Sequence, residues 1–242
     1  MNSMTDDAHN TPRAALTRTP VLIITATRWE AEPLSKALGL PASGEDRWEG
    51  LSCGRRVLVL KTGMGALKTR DRLERDCVAA GDHGLILSAG LCAALQPGVR
   101  TGDIVADAQE VDLDYVVPLR ETAATLGLPF HFGKILHTNV ILKPEMKRKM
   151  GTEHRVLACD METSAIRRWA YGRTPVIGLR VVLDEIDEAI PSDAPESEDF
   201  AALARYALAH TTELPLLIRT GLRCAWAMKK LSRFLNAYLE AL

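Results

Sequence analysis

The chain has 242 residues with a formal net charge of −1, and 47% of them are hydrophobic and 25% charged. This composition is typical of one globular domain with a full hydrophobic core, and the near-neutral balance argues against a nucleic-acid-binding surface. The five cysteines include no C-x-x-C pair, which argues against a disulfide framework or a zinc site. We therefore expect a cytoplasmic protein with reduced thiols and no metal.

The two ends of the chain differ from its middle in character. Residues 1–20 are polar and lack an apolar segment, so they predict a disordered leader and not a signal peptide. No run of residues is long and apolar enough to cross a bilayer. We place the main domain at residues 21–218 and a separate basic helix at residues 219–242.

The first third of the chain predicts alternating strands and helices. The β-branched run Val21–Thr25 predicts a buried strand, and a helical pattern starts near Glu30. A carboxylate at this position is either a favourable partner of the helix dipole or a catalytic group, and Arg28 shares its loop. Residues 48–51 and 56–61 then predict a hairpin. A predicted helix and the strand at Leu85–Leu87 follow, and they give the βαβ alternation of a mostly parallel sheet.

Two stretches of small residues follow predicted strands. The G-x-G at residues 63–65 opens a helix, where free amides can bind phosphate or ribose, but it lacks the third glycine and the lysine of stronger motifs. Leu85–Leu87 predicts a strand that ends in a Ser-Ala-Gly turn at residues 88–90. Such a turn either brings backbone amides close to a ligand or is an ordinary tight turn of an α/β core.

The middle of the chain is less informative. Residues 110–132 predict an extended region of uncertain shape, and residues 133–139 predict a strand. His137, near the end of that strand, is either a base that faces a ligand or a histidine with a structural role. The lysine-rich stretch at residues 144–151 predicts a helix with a solvated face.

Carboxylates follow the last two predicted strands. Asp160 and Glu162 lie where a strand enters a helix, and ionised carboxylates there suit sugar hydroxyls, although Asp160 is also a candidate helix cap. The strand at residues 176–183 is followed by Asp184. Residues 184–199 carry eight acidic side chains and no basic one, which predicts a mobile loop that is either a lid or simply solvated.

The C-terminal helix is amphipathic. Leucines and aromatic residues at helical spacing predict one apolar face: Leu231, Phe234, Leu235, Tyr238, Leu239 and Leu242. Residues 219–242 hold five basic side chains and one acidic, a local balance of +4. This face either packs on the domain or on a partner subunit, or it serves a helix that lies on a membrane.

Five segments, in order over residues 21 to 190, resemble the purine nucleoside phosphorylase and nucleosidase superfamily, above all its methylthioadenosine/S-adenosylhomocysteine nucleosidase branch. They are VLIITATRWE, the G-x-G, Ser-Ala-Gly followed by Gly-Asp-Ile-Val, the Met-Glu pair before a small-residue helix, and a late strand with Arg180 and Asp184. The resemblance implies an α/β fold, a three-layer α/β/α sandwich around a mixed, mostly parallel twisted sheet.

The resemblance also implies roles for individual residues. Glu30 would position the attacking water, Met161 and Glu162 would hold the ribose, and Asp184 would donate a proton towards N7 of a departing purine. N-glycoside cleavage passes through an oxocarbenium-like sugar, so it needs an acid on the leaving base and a nucleophile on the opposite face. The expected site is Glu30 and Asp184 for catalysis, and Arg28, Gly63, Ser88, Ala89, Gly90, Val140, Met161 and Glu162 for substrate binding.

Two positions depart from the family pattern. Leu183 stands where the family often has Ser or Thr, so the hydrogen bond that orients Asp184 is either missing or supplied elsewhere. Leu85 stands where bacterial hexameric phosphorylases place a phosphate-binding arginine, which favours water as the nucleophile. Arg28 keeps phosphorolysis open, with phosphate as co-substrate and no other cofactor. A nucleoside-binding protein without catalysis is the alternative of another class.

A narrower resemblance is to the hopanoid-associated phosphorylases, through the Asp-Met-Glu-Thr junction and the tail LPLLIRTGLRCAWAMKKL. It implies adenine release from adenosylhopane, whose 5′ position carries a pentacyclic lipid, and a role in hopanoid biosynthesis. Methylthioadenosine and adenosylhomocysteine are the small-molecule alternatives. A lipid-linked substrate implies peripheral contact with the inner membrane through the basic tail, where Trp226 flanks the basic side. Because family members are commonly dimers, we expect a homodimer.

Overall fold

The computed structural model describes residues 19–76, 79–190, 212 and 214–242. Most of the predicted leader and residues 191–199 of the predicted acidic loop lie outside these ranges. The described strands are β1 (Val21–Thr25), β2 (Ala42–Gly44), β3 (Arg47–Ser52), β4 (Arg55–Lys61), β5 (Leu85–Ala94), β6 (Ile104–Asp107), β7 (Phe130–Phe132), β8 (Ile135–His137), β9 (Ala158–Asp160) and β10 (Val176–Asp184). The described α-helices are α1 (Arg28–Ala37), α2 (Ala66–Arg75), α3 (Leu113–Leu126), α4 (Pro144–His154), α5 (Thr163–Ala170) and α6 (Leu214–Ala241).

The strands form one mixed sheet in the order β2-β3-β4-β1-β5-β10-β6-β7, and β9 joins β8 to the end of β5. The centre is parallel, since β1 pairs in parallel with β4 and β5, and β5 with β10. Strand β6 runs antiparallel to β10. The predicted α/β fold with a mixed, mostly parallel sheet is confirmed, as is the hairpin of β3 and β4.

Helices cover both faces of the sheet. In β1, Val21 and Ile23 belong to a core cluster that includes residues of α1, α3 and α6, whereas Leu22 and Ile24 belong to a second cluster with residues of α2 and α5. All four side chains are essentially inaccessible to solvent. A β-branched run that is buried on both sides is typical of a central strand between two helical layers.

Two predictions about local structure are wrong. The turn predicted at Ser88–Gly90 is part of β5, which continues to Ala94 because β10 pairs with it as far as Ala93. Backbone hydrogen bonds to a neighbouring strand thus hold these small residues extended. The region at residues 110–132, predicted as extended, contains α3, whose end is marked by Gly127 in the left-handed conformation at φ 60°.

Helix α6 is part of the main core. Its predicted apolar face packs on the domain, where Leu231, Phe234 and Tyr238 are fully buried. The ring of Phe234 stacks on that of Phe130 in β7, with 5.8 Å between the centroids. Of the three alternatives for this face, the structure shows packing on the domain itself. Within the described ranges, no helix combines the length and the hydropathy that crossing a membrane requires.

Candidate active site

The predicted catalytic and ribose-binding residues line one cleft at an edge of the sheet. Glu30 follows β1, Asp184 ends β10, and Met161 and Glu162 follow β9; all four line the cleft together with Val140. The parallel strands β1, β5 and β10 are neighbours, so their carboxyl ends meet at this edge, where ligands bind in open α/β sheets. The order of strands in the sheet therefore assembles residues that are far apart in sequence.

Glu30 is fixed at the start of α1. Its Oε2 accepts hydrogen bonds from the amides of Ala26 (3.0 Å) and Thr27 (2.8 Å) and from the Thr27 hydroxyl (3.0 Å), and its Oε1 accepts one from the amide of Leu91 (2.8 Å). The side chain is only 3% exposed. Its contact with the Thr27 amide forms half of a capping box, so Glu30 has a structural role as well as its place in the cleft.

Gly90 gives Glu30 the space it occupies. A Cβ on Gly90 would lie 2.2 Å from Oε1 of Glu30 and 2.8 Å from Nη1 of Arg180. No side chain fits at such distances, because both neighbours are buried and fully packed. The Ser-Ala-Gly segment thus lies beneath the site and supports it.

We expect Gly90→Ala to lower both the stability and the activity of the protein. Overpacking of a filled core costs about 1–3 kcal/mol, and here the displaced group is a site carboxylate. Thermal unfolding and turnover would be measured together, with Gly81→Ala as control, because a Cβ there meets no atom within 4 Å. Unchanged turnover in Gly90→Ala would show that the position of Glu30 does not matter.

Glu162 belongs to a buried charge network. Its Oε1 accepts a hydrogen bond from the amide of Gly65 (2.8 Å), and its Oε2 lies 3.5 Å from Nη2 of Arg180. Asp160 lies closer to the same guanidinium, at 2.6 Å, and also accepts a hydrogen bond from the Thr163 hydroxyl. Burial raises the pKa of Glu162 to about 7, while Arg180 acts in the opposite direction. Both carboxylates line the cleft, but Asp160 is engaged by the shorter contacts to Arg180 and Thr163, so Glu162 is the better candidate to bind a ligand.

Asp184 has a partner that the sequence did not reveal. The register between β5 and β10 shifts between Val182 and Asp184, which places a bulge at Leu183 and turns Asp184 towards the cleft. One carboxylate oxygen, Oδ2, accepts a hydrogen bond from Lys147 on α4. Burial raises the pKa of Asp184, and Lys147 opposes this effect. The helix predicted at residues 144–151 is confirmed and exposes Arg148 and Lys149, but Lys147 departs from the predicted solvated face because it is fully buried.

The rest of the cleft is mostly apolar. Val140 is 63% exposed at its rim and Ile141 39%, and Met64, Leu91 and Ile190 add further apolar wall. Two thiols also line it, and burial raises the pKa of Cys159 to about 12, so that this thiol stays protonated. An apolar wall beside buried carboxylates suits a ligand with one polar end and one apolar end.

Several predicted binding residues lie outside the cleft lining. Ser88 is fully buried, where its hydroxyl contacts Thr163 (2.9 Å) and Arg180 (2.7 Å), and Ala89 is buried beside it. The amides of Gly63 and Gly65 donate to Ala26 and Glu162, so neither of these two glycine amides is free to bind a ligand. Arg28 also lies outside the cleft, where its side chain is 62% exposed and forms an ion pair with Glu32. His137 lies outside the cleft too, and its ring contacts Asn139.

The structure has the nucleoside phosphorylase-like fold. Among solved structures of similar fold is the futalosine hydrolase of Helicobacter pylori, with a TM-score of 0.68 and 16% identity over 94% of this chain and all of that one. The methylthioadenosine/S-adenosylhomocysteine nucleosidase of H. pylori has a TM-score of 0.69 at 15% identity, over 93% of this chain and 99% of that one. The corresponding S. pneumoniae nucleosidase has 0.65 at 17%, over 92% and 99%.

At such identities, the likeness establishes the fold, and function rests on the site. No family model matches the sequence. No curated protein matches it either.

Proposed function

We propose that this protein hydrolyses the N-glycosidic bond of a 5′-substituted adenosine and releases adenine. The observation that carries this proposal is the convergence of Glu30, Glu162 and Asp184 on one largely apolar cleft at the carboxyl edge of the sheet. The three carboxylates are held by three different sets of partners, so each can have a separate task.

The proposed reaction assigns one task to each carboxylate. Asp184 protonates N7 of the purine while the bond between C1′ and N9 breaks, and the electron pair of that bond goes to the purine. Glu30 positions a water molecule, and the oxygen of this water bonds to C1′. Glu30 then takes up the proton that the water loses. Glu162 accepts hydrogen bonds from ribose hydroxyls, with Met161 beside it. Acid and base of this kind each accelerate such a reaction by about 10²–10⁴-fold.

The charges around the cleft favour water over phosphate. In the part of the chain that the structure describes, no lysine or arginine lines the cleft. The guanidinium of Arg28 lies on the surface, where it forms an ion pair with Glu32. A phosphate ion in a buried site calls for a cationic partner. Phosphorolysis, which gives a ribose 1-phosphate, is therefore the second candidate. The proposed hydrolysis uses no resident cofactor.

The apolar wall supports an apolar 5′ group. Val140 and Ile141 expose apolar surface at the cleft, as a thioether or a lipid substituent would require. We include an adenosylhopane-like substrate, and with it a role in hopanoid biosynthesis, as the finer form of the proposal. Methylthioadenosine and adenosylhomocysteine are its alternatives, and two structures of similar fold are nucleosidases named for these compounds.

The test is adenine release from methylthioadenosine, adenosylhomocysteine and adenosylhopane, each with and without phosphate. Release without phosphate would support hydrolysis, and the preferred compound would decide between a small and a lipid-linked substrate. Release only with phosphate would show a phosphorylase. No release from any of the three would contradict the proposed function and favour a nucleoside-binding protein without catalysis.

We further propose a cytoplasmic homodimer that contacts the inner membrane peripherally. The resemblance to enzymes that are commonly dimers supports the dimer, and a monomer mass in light scattering would contradict it. The support for membrane contact is on α6, where Leu214, Ile218, Leu222 and Trp226 recur every fourth residue and are exposed. Arg219 adjoins this stripe; its side chain is 54% exposed and only loosely paired with Glu188 at 3.7 Å, and a cation beside an exposed apolar stripe favours anionic lipid headgroups.

We expect the double variant Ile218→Glu and Leu222→Glu to lose binding to vesicles of anionic lipid. Two acidic groups would oppose both the apolar contact and the negative headgroups. The matched control is Leu51→Glu, an exposed leucine in β3 that is 77% accessible. Co-sedimentation would measure binding. Wild-type protein that prefers anionic vesicles no more than neutral ones would contradict membrane contact, and a dimer lost in the variant would indicate a face between two copies.

A further inference from the structure

Lys147 is an unusual residue for a surface helix. Its side chain is 1% exposed, and its ammonium donates hydrogen bonds to Oδ2 of Asp184, to the carbonyl of Glu185 (2.9 Å) and to the carbonyl of Glu188 (2.7 Å). An ammonium has three donors, so all of them are used. Lysines are almost never fully buried unless they are paired, because removing the charge from water is costly. The position of this charge therefore calls for an explanation.

Lys147 donates to Asp184 a side-chain hydrogen bond that the preceding residue, Leu183, cannot donate. Leu183 lies at the bulge immediately before Asp184, and its side chain has no group that donates a hydrogen bond. Lys147 fixes Oδ2 from behind, and within the described residues it does not itself line the cleft. Because Oδ2 is held, Oδ1 is the oxygen left to meet the purine. Lys147 can thus act on the ligand only through Asp184 or through the wall around it.

Lys147 also connects the acid to the wall of the cleft. Helix α4 follows the loop that contributes Thr138 and Val140 to the cleft, and Lys147 lies in the first turns of that helix. Its two carbonyl contacts lie in the turn after β10, where Glu188 pairs with Arg223 of α6 at 2.7 Å. If Lys147 has only a structural role, that role is to connect α4 to the turn after β10 by hydrogen bonds.

We propose that Lys147 is the positioning residue of the leaving-group acid, an inference that rests on the proposed function. When Asp184 transfers its proton to N7, the bond between C1′ and N9 breaks and its electron pair enters the purine. Asp184 then becomes a carboxylate. Lys147 keeps its three protons throughout and stabilises the negative charge as it forms on Asp184. A fixed cation beside a developing charge needs no rearrangement during the reaction, which makes such stabilisation effective.

Two substrates with different leaving groups distinguish this positioning role of Lys147 from a structural role. Methylthioadenosine needs a proton on its purine, whereas the 4-nitrophenyl glycoside of 5-methylthioribose releases a phenolate that needs none. We expect Lys147→Met to lower kcat for methylthioadenosine by at least about 10-fold, part of what an acid contributes. KM for methylthioadenosine should not change, and kcat for the nitrophenyl glycoside should equal that of the wild-type protein. Equal losses on both substrates would overturn the proposal and leave Lys147 a structural tie.

Two further variants serve as controls. Lys149→Met removes an exposed lysine from the same helix and should change neither reaction. The double variant Lys147→Met with Asp184→Asn removes both buried charges, so no unpaired ion prevents folding if Lys147→Met alone is unfolded by circular dichroism. We expect its kcat for methylthioadenosine to equal that of Asp184→Asn. A further loss of 10-fold or more in the double variant would overturn the proposal, because Lys147 would then act independently of Asp184.

Failure of this inference is distinguishable from failure of the proposed function. Wild-type protein that releases neither adenine nor nitrophenolate would contradict the proposed function itself. Wild-type protein that cleaves both substrates, with Lys147→Met impaired equally on both, would contradict only the role of Lys147.

Discussion

Asp184→Asn is expected to lower the turnover of methylthioadenosine by about 10²–10⁴-fold, the range of a general acid. The amide keeps the size of the side chain and still offers an oxygen to Lys147, whose two carbonyl contacts are unaffected. The proton for N7 is lost, so the barrier to leaving-group departure rises. Because the burial that raises the pKa of Asp184 favours its protonated form, the wild-type group is suited to donate that proton.

The measurement is adenine release under saturating substrate, with the nitrophenyl glycoside as internal comparison. The glycoside should be cleaved at a similar rate by Asp184→Asn, since its leaving group needs no acid. Asp187→Asn is the matched control, because this aspartate is exposed and paired with Arg148 on the surface. Full activity of Asp184→Asn on methylthioadenosine would mean that another group protonates the purine.

Much of the fold could be predicted because the relevant signals are local. The run Val21–Thr25 is β-branched and continuous, and a strand buried on both faces needs little more information. Strand β5 was predicted too short, since Ser88–Gly90 has the composition of a turn and only the pairing with β10 keeps it extended. Helix α3 was missed, although Tyr115, Val116, Leu119 and Ala123 recur at helical spacing and are buried together.

The candidate site could be predicted in part, because several of its residues follow predicted strands. Glu30, Met161, Glu162 and Asp184 follow strand ends, and the sheet brings these ends together. Lys147 was missed because its partner is 37 positions away and its own segment reads as a charged helix. One signal was available: Gly151, four residues on, lies on the same helix face, and a Cβ there would be 1.9 Å from the Leu95 carbonyl. A glycine inside a lysine-rich helix thus indicated a buried face.

Glu30→Gln is expected to lower turnover as strongly as Asp184→Asn, by about 10²–10⁴-fold, since an amide cannot take a proton from water. This variant should also lower the stability of the protein. Both oxygens of Glu30 accept hydrogen bonds from backbone amides, so the amide nitrogen of glutamine must face a donor in either orientation. A buried donor without an acceptor costs about 1–3 kcal/mol.

The two effects can be measured separately. Thermal unfolding should show a lower Tm for Glu30→Gln, at about 2–4 °C per kcal/mol for a chain of this size. Glu32→Gln, two residues on and exposed, is the control and should keep both Tm and turnover. Loss of stability with full turnover would leave Glu30 only its capping role in α1. Loss of both stability and turnover is the result that the geometry predicts for Glu30→Gln, because backbone amides donate to both oxygens of Glu30 and a glutamine nitrogen facing one of these amides would have no acceptor.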